Sequence, residues 1–202
     1  MMLIVQFGIV TLTFQKLGLS PAGAFLLLAG SLAGSLVNWP LFSIQSDQSR
    51  EYIDSLFHGL LRGRPGGNTG RTIIAVNLGG CVVPLLFSLY LVFQGRASMP
   101  DVVLGTAVVS IISYMFSRTI PGLGVGMPIF IAPITAAATA IAINPEHSAS
   151  LAYISGTIGV LIGADVLRLK DIRRIGSPLA SIGGAGTFDG IFITGIVAVL
   201  LT

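Results

Sequence analysis

Two carboxylates stand where charge is scarce. Asp165 lies in Gly163-Ala164-Asp165-Val166-Leu167, and Asp189 in Gly183-Gly184-Ala185-Gly186-Thr187-Phe188-Asp189-Gly190, each inside a long apolar stretch. A central aspartate in a membrane span costs about 2.5 to 3.5 kcal/mol on insertion scales, so such a residue is a candidate for function. Two carboxyl groups at close range cannot both ionise easily. One proton is then shared, and one group acts as base and the other as acid on an attacking water. That is the chemistry of an aspartyl protease, and it makes Asp165 and Asp189 the candidate catalytic pair. Each also has a structural alternative. Asp165 stands three residues before Arg168, the spacing of an ion pair on a helix surface. Asp189 suits the first turn of a helix that starts near Thr187, where Thr187 caps and the helix dipole favours negative charge.

The elements that must position this pair follow from composition. The 202 residues are 53% hydrophobic and 9% charged. A soluble domain carries roughly a quarter charged residues, so a water-soluble globular enzyme is excluded. Disorder is excluded by the aliphatic content. The net charge of +3 does not require a nucleic-acid surface, because membrane proteins collect Lys and Arg in cytoplasmic loops. Cys81 has no second cysteine to pair with.

A membrane-crossing helix takes about 20 mostly apolar residues. On that measure the whole chain, 1–202, reads as a single transmembrane domain, an all-α polytopic helix bundle of about seven spans near 1–18, 21–44, 72–94, 102–117, 121–143, 148–167 and 178–202. The first stretch is not expected to be a cleavable signal, since its nearby charge, Lys16, follows it rather than preceding it. If the spans alternate, one set of loops holds Arg50, Arg62, Arg64, Arg71, Arg118, Arg168, Lys170, Arg173 and Arg174, and the other only Lys16 and Arg96. Nine cations against two predict a cytoplasmic N-terminus, an outer C-terminus and a multi-pass protein of the inner (cytoplasmic) membrane.

The cytoplasmic loop 45–71 carries Tyr52, Ile53, Leu56, Phe57, Leu60 and Leu61 at helical spacing, which suggests a short amphipathic segment on the membrane surface. The pairs Gly30/Gly34 and Gly159/Gly163 would let helices approach closely. Asn38, Asn77, Gly124, Gly126 and Pro128 fall at the depth of the aspartates, and Gly184 and Gly186 lead into Asp189. Broken backbone at membrane depth is tolerated only when buried or lining a cavity, so these residues predict a polar pocket open to the cytoplasmic half. An asparagine in a span is also commonly just an interhelical hydrogen bond. Glu146 and His147 make no metal set, and His58 belongs to the amphipathic segment. The glycine runs match no phosphate loop, so neither metal nor cofactor is expected. No nucleophile elbow is present, nor the twin inverted halves of a transporter. The expected partners are the lipid bilayer and a membrane-peptide substrate, not nucleic acid.

The strings Val37-Asn38-Trp39-Pro40-Leu41, Ala75-Val76-Asn77-Leu78-Gly79-Gly80, Gly163-Ala164-Asp165-Val166-Leu167 and Ile182 to Phe192 resemble those of an uncharacterised prokaryotic integral-membrane family, a domain of unknown function. Membership implies an integral membrane protein and no assigned reaction. The chain is also weakly similar to the presenilin and signal-peptide-peptidase group of intramembrane aspartyl proteases. That similarity implies one catalytic aspartate in the sixth span, at Asp165, and one after a Gly-x-Gly motif in the seventh, at Asp189, both toward the cytoplasm. Three departures stand beside it: Thr187 and Phe188 separate Gly184-Ala185-Gly186 from Asp189, Ala164 rather than the group's tyrosine stands immediately before Asp165, and no Pro-Ala-Leu motif follows Asp189. The expected function is an intramembrane aspartyl protease-like hydrolase of membrane peptides. The alternatives are a cation- or proton-coupled transporter or channel, and a non-catalytic membrane scaffold.

Overall fold

The computed structural model describes residues 13, 15–45, 71–120, 124–174, 179–184 and 187–202. Most of the first expected span and nearly all of the amphipathic loop lie outside them. The described chain is mostly helical: α1 (Pro21–Gly34), α2 (Val83–Phe93), α3 (Met99–Phe116), α4 (Ile131–Ile143), α5 (Ser148–Val160) and α6 (Thr187–Leu201). Two π-helical turns, Leu78–Val82 and Leu161–Val166, extend α2 at its start and α5 at its end. Local chemistry sets the starts. Ser20 accepts the Gly23 N–H ahead of Pro21, and Ser98 accepts the Asp101 N–H ahead of Pro100.

Met99–Phe116 and Ser148–Val166 are long and apolar enough to cross a membrane, close to the expected spans 102–117 and 148–167. Where they are described, the expected spans 21–44, 72–94, 121–143 and 178–202 are only partly helical, which corrects the all-α reading. The described chain also holds five strands: β1 (Asn38–Gln45), β2 (Arg71–Asn77), β3 (Arg118–Ile120), β4 (Gly124–Gly126) and β5 (Leu179–Ile182). A hydropathy window cannot separate an apolar strand from an apolar helix. The local signals that can are Pro40, which α-helix interiors reject, and the β-branched run Thr72-Ile73-Ile74 with Val76.

β1 and β2 run antiparallel, with Asn38 opposite Asn77 and Gln45 opposite Arg71, and β5 joins β2 in parallel, with Ile73 opposite Leu179. β3 and β4 form a separate hairpin. The helices are thus arranged as three hairpins, α1/α2, α3/α4 and α5/α6, whose connections all carry extended chain at one end of the molecule. Arg71, Arg118, Arg168 and Lys170 are at that end. At the other, Lys16 Nζ donates to Val199 O at 3.4 Å, Arg96 lies against Gly18, and Asn144 Nδ2 donates to Asp101 Oδ2 at 3.0 Å.

α5 is the central helix, packed against α2, α3, α4 and α6. Its Tyr153 meets Phe87 edge to face, with centroids 5.0 Å apart. The seam with α3 is nearly backbone to backbone: a Cβ on Gly163 would collide with Ser110 O, and one on Gly159 would lie 2.6 Å from Val109 Cβ. The other small-residue pair divides, since Gly34 seats against Gly79 while Gly30 faces open space. Under the sheet, Ile74 and Ile172 form a second small core with Ile44, Val125 and Ile182 against it.

Candidate functional site

Asp165 sits in the π-helical turn that ends α5, a geometry that recurs at functional sites because it turns a side chain out of helical register. It is 6% exposed. Its Oδ2 accepts the backbone N–H of Gly183 at 3.0 Å, in the chain that leads from β5 to α6. Arg168 is engaged elsewhere. Its NH1 donates to Asp171 Oδ2 at 3.0 Å, its Nε to Ser117 Oγ at 3.1 Å, and its NH2 to Tyr114 O at 2.7 Å and Ser117 O at 2.8 Å, with the guanidinium 4.2 Å from the centre of the Tyr114 ring. It caps the C-terminus of α3, where a cation suits the helix dipole. Arg168–Asp171 is the one ion pair among the described residues, so no cation there faces Asp165.

Gly183 is the hinge of this arrangement. Its φ of +69° is left-handed, and a Cβ there would lie 2.7 Å from Cys81 and from the Gly80 carbonyl carbon. Only glycine lets the chain lie against the first π-helical turn and still aim its N–H at Asp165. Gly184 then turns back, its N–H donating to Ser181 O at 3.2 Å. Asp189 is the third residue of α6, so its backbone stands in the first helical turn, just beyond the segment that Asp165 holds. Its side chain, and Gly186, lie outside the described residues.

Asn77 is 1% exposed and fully engaged. Its Oδ1 accepts the Gly80 N–H at 2.7 Å, and its Nδ2 donates to Ser35 O at 2.7 Å and to Asn38 Oδ1 at 3.0 Å. Ser181 Oγ donates to that same Asn38 oxygen in a short hydrogen bond, and Ser31 Oγ donates to Gly79 O at 2.6 Å. The two asparagines therefore tie all three strands of the larger sheet to α1 and to the π-helical turn beside Gly183. Gly124 and Gly126 face Ile120 and Arg118 in the β3/β4 hairpin, and β4 packs on the turn that carries Asp165. Pro128 is exposed in the link to α4.

The structure thus gathers Asp165, Asn38, Asn77, Gly184 and β4 at one end of the bundle. Gly183, Ser181, Ser31 and Ser35 complete that cluster and were not singled out from sequence; the Gly183-Gly184 dipeptide before an apolar helix was the available signal. Among the described residues no three His, Cys, Asp or Glu side chains are grouped to hold a metal ion. No curated protein and no solved structure matches the chain. A family does match, over residues 32–201, a stretch that begins in α1 and takes in the sheet, both π-helical turns and both aspartates. The chain belongs to the family described as protein of unknown function, DUF1614.

Proposed function

We propose that this is a multi-pass protein of the cytoplasmic membrane, its sheet end facing the cytoplasm, and that Asp165 and Asp189 act as the acid–base pair of an intramembrane hydrolase of membrane peptides. The observation that carries the reading is Asp165: a buried carboxyl on a π-helical turn, facing no cation among the described residues, and held to the chain segment that leads directly into the helix bearing Asp189. Burying a carboxyl without a counter-ion is costly, and stability alone gives no reason to keep it. Large apolar side chains on the outer faces, among them Phe25, Leu26, Phe93, Val103 and Ile111, support the membrane placement, as do the nine cations of one loop set. The test is cleavage of reporter transmembrane peptides by the purified protein in proteoliposomes. Asp165→Asn and Asp189→Asn should each abolish cleavage. The first variant keeps an amide oxygen that can still accept the Gly183 N–H, so it should stay folded. A wild type that cleaves nothing, or two variants with full activity, refutes the proposal.

A second reading, proton or cation passage, is favoured by one observation. The hydroxyls of Thr106, Ser110 and Ser113 are buried on α3, about a helical turn apart, and have no hydrogen-bond partner among the described residues. If they line a path, a proton gradient across vesicles should dissipate faster with wild type than with Ser110→Ala/Ser113→Ala; equal rates exclude it.

A further inference from the structure

One outer strand of the three-stranded sheet, β1, gathers its large apolar residues on one face and leaves that face open. β1 is exposed at all but one of its eight positions and, among the described residues, pairs only with β2, along one edge. Trp39 and Phe42 stand opposite Val76 and Ile74, two residues apart on β2, so the shift at Leu41 puts them on one face with Ile44, while Asn38, Pro40, Ser43 and Gln45 take the other. Trp39, Leu41 and Phe42 are all more than half exposed. A sheet strand whose apolar face rests on a core buries that face, and β1 does not. Its apolar surface continues through Leu36, 85% exposed, into Leu32 and Leu26 of α1.

The length of α1 says what covers this surface. Fourteen residues make a helix about 21 Å long, against about 30 Å of hydrocarbon in a bilayer. The chain therefore leaves the helix before it has crossed, and the residues after Gly34 meet lipid. An open sheet edge is not tolerated in the hydrocarbon itself, because its N–H and C=O groups need partners. The strand is confined to the depth where water and headgroups reach that edge. Pro40 removes one donor from β1, and the register shifts between Pro40 and Phe42, which twists the strand. Gln45, opposite Arg71, marks the end that reaches water. We propose that β1 is an interfacial strand, seated in the headgroup boundary of the leaflet on the sheet side and anchored there by Trp39. This rests on the membrane placement given above, but not on any catalysis.

Trp39 is the protein's single tryptophan, so its fluorescence reports this strand alone. The full chain is reconstituted in phosphatidylcholine–phosphatidylglycerol vesicles containing lipids brominated either just below the headgroup or near the chain ends. The expected result is stronger quenching by the shallow bromines than by the deep ones, with little quenching by aqueous iodide. Quenching by iodide as for a tryptophan in water overturns the proposal, as does maximal quenching by the deep bromines. A tryptophan shielded from both lipid and iodide also overturns it, since another protein chain would then cover the strand. An alkaline carbonate wash separates the two failures: a chain that washes off sinks the membrane placement as well, whereas one that stays, with Trp39 open to iodide, sinks the interfacial strand alone.

Discussion

Gly183→Ala is the sharpest perturbation of the geometry around Asp165. The substitution imposes two costs, and two other glycines separate them. A non-glycine residue at φ +69° costs roughly 1–2 kcal/mol from the left-handed conformation. The new Cβ would also lie 2.7 Å from Cys81 and the Gly80 carbonyl carbon, part of the contact being backbone that cannot rotate away. Overpacking of this kind costs about 1–3 kcal/mol. The sum is roughly 2–5 kcal/mol, and at about 2–4 °C per kcal/mol for a chain of this size the apparent Tm should fall by roughly 4–20 °C. Gly95 has φ +70° with open space where a Cβ would stand, so Gly95→Ala should show only the conformational cost. Gly30 is helical and also open, so Gly30→Ala should be neutral or stabilising by up to about 1 kcal/mol. Unfolding in a fixed detergent, followed by circular dichroism, ranks the three. If Gly183→Ala is no less stable than Gly95→Ala, the close packing of Gly183 on the first π-helical turn is wrong, and with it the account of how Asp165 finds its donor.

Asn77→Ala strands the Gly80 N–H and the Ser35 carbonyl, each a buried group costing about 1–3 kcal/mol when unpaired, and chemical denaturation should show a lower midpoint; an unchanged midpoint contradicts the role of Asn77 as the joint of the sheet. Arg168→Lys keeps the charge but loses the planar fork that reaches both Tyr114 O and Ser117 O, so amide exchange should rise in the last turn of α3, and protection equal to wild type would refute the cap. Gly163→Leu places a side chain where even a Cβ would collide with Ser110 O, so cysteines introduced across the α3/α5 seam should cross-link less efficiently than in the parent; undiminished cross-linking would show that the helices are not in this contact.

The sequence was informative where one signal dominated. Apolar length located α3, and α5 with its closing turn, to within a few residues. It was ambiguous where apolar residues serve two backbones equally well. Thr72 to Val76 is as apolar as any span, whereas Asn38 to Ile44 mixes Trp39, Leu41, Phe42 and Ile44 with Asn38, Pro40 and Ser43, and only Pro40 and the β-branched run separated strand from helix. Arg168 and Asp165 share a helical spacing, yet Arg168 bonds to α3 and Asp171 instead, because a partner 51 residues away, Ser117, cannot be read from local pattern. Gly183 was visible as a glycine, but its role depends on β5 lying beside β2, which no local pattern specifies.

That parallel pairing of β2 with β5 also bears on how the protein is made. Ile73 meets Leu179 and Val76 meets Ile182, so the sheet joins the first helical hairpin to the last across most of the chain. Closing so long a loop has an entropic cost and is slow, whereas the β1/β2 hairpin and the α3/α5 seam join segments closer in sequence. During synthesis one edge of β2 therefore waits for β5, and with it Gly183 waits to pack against Gly80 and Cys81 in the first π-helical turn.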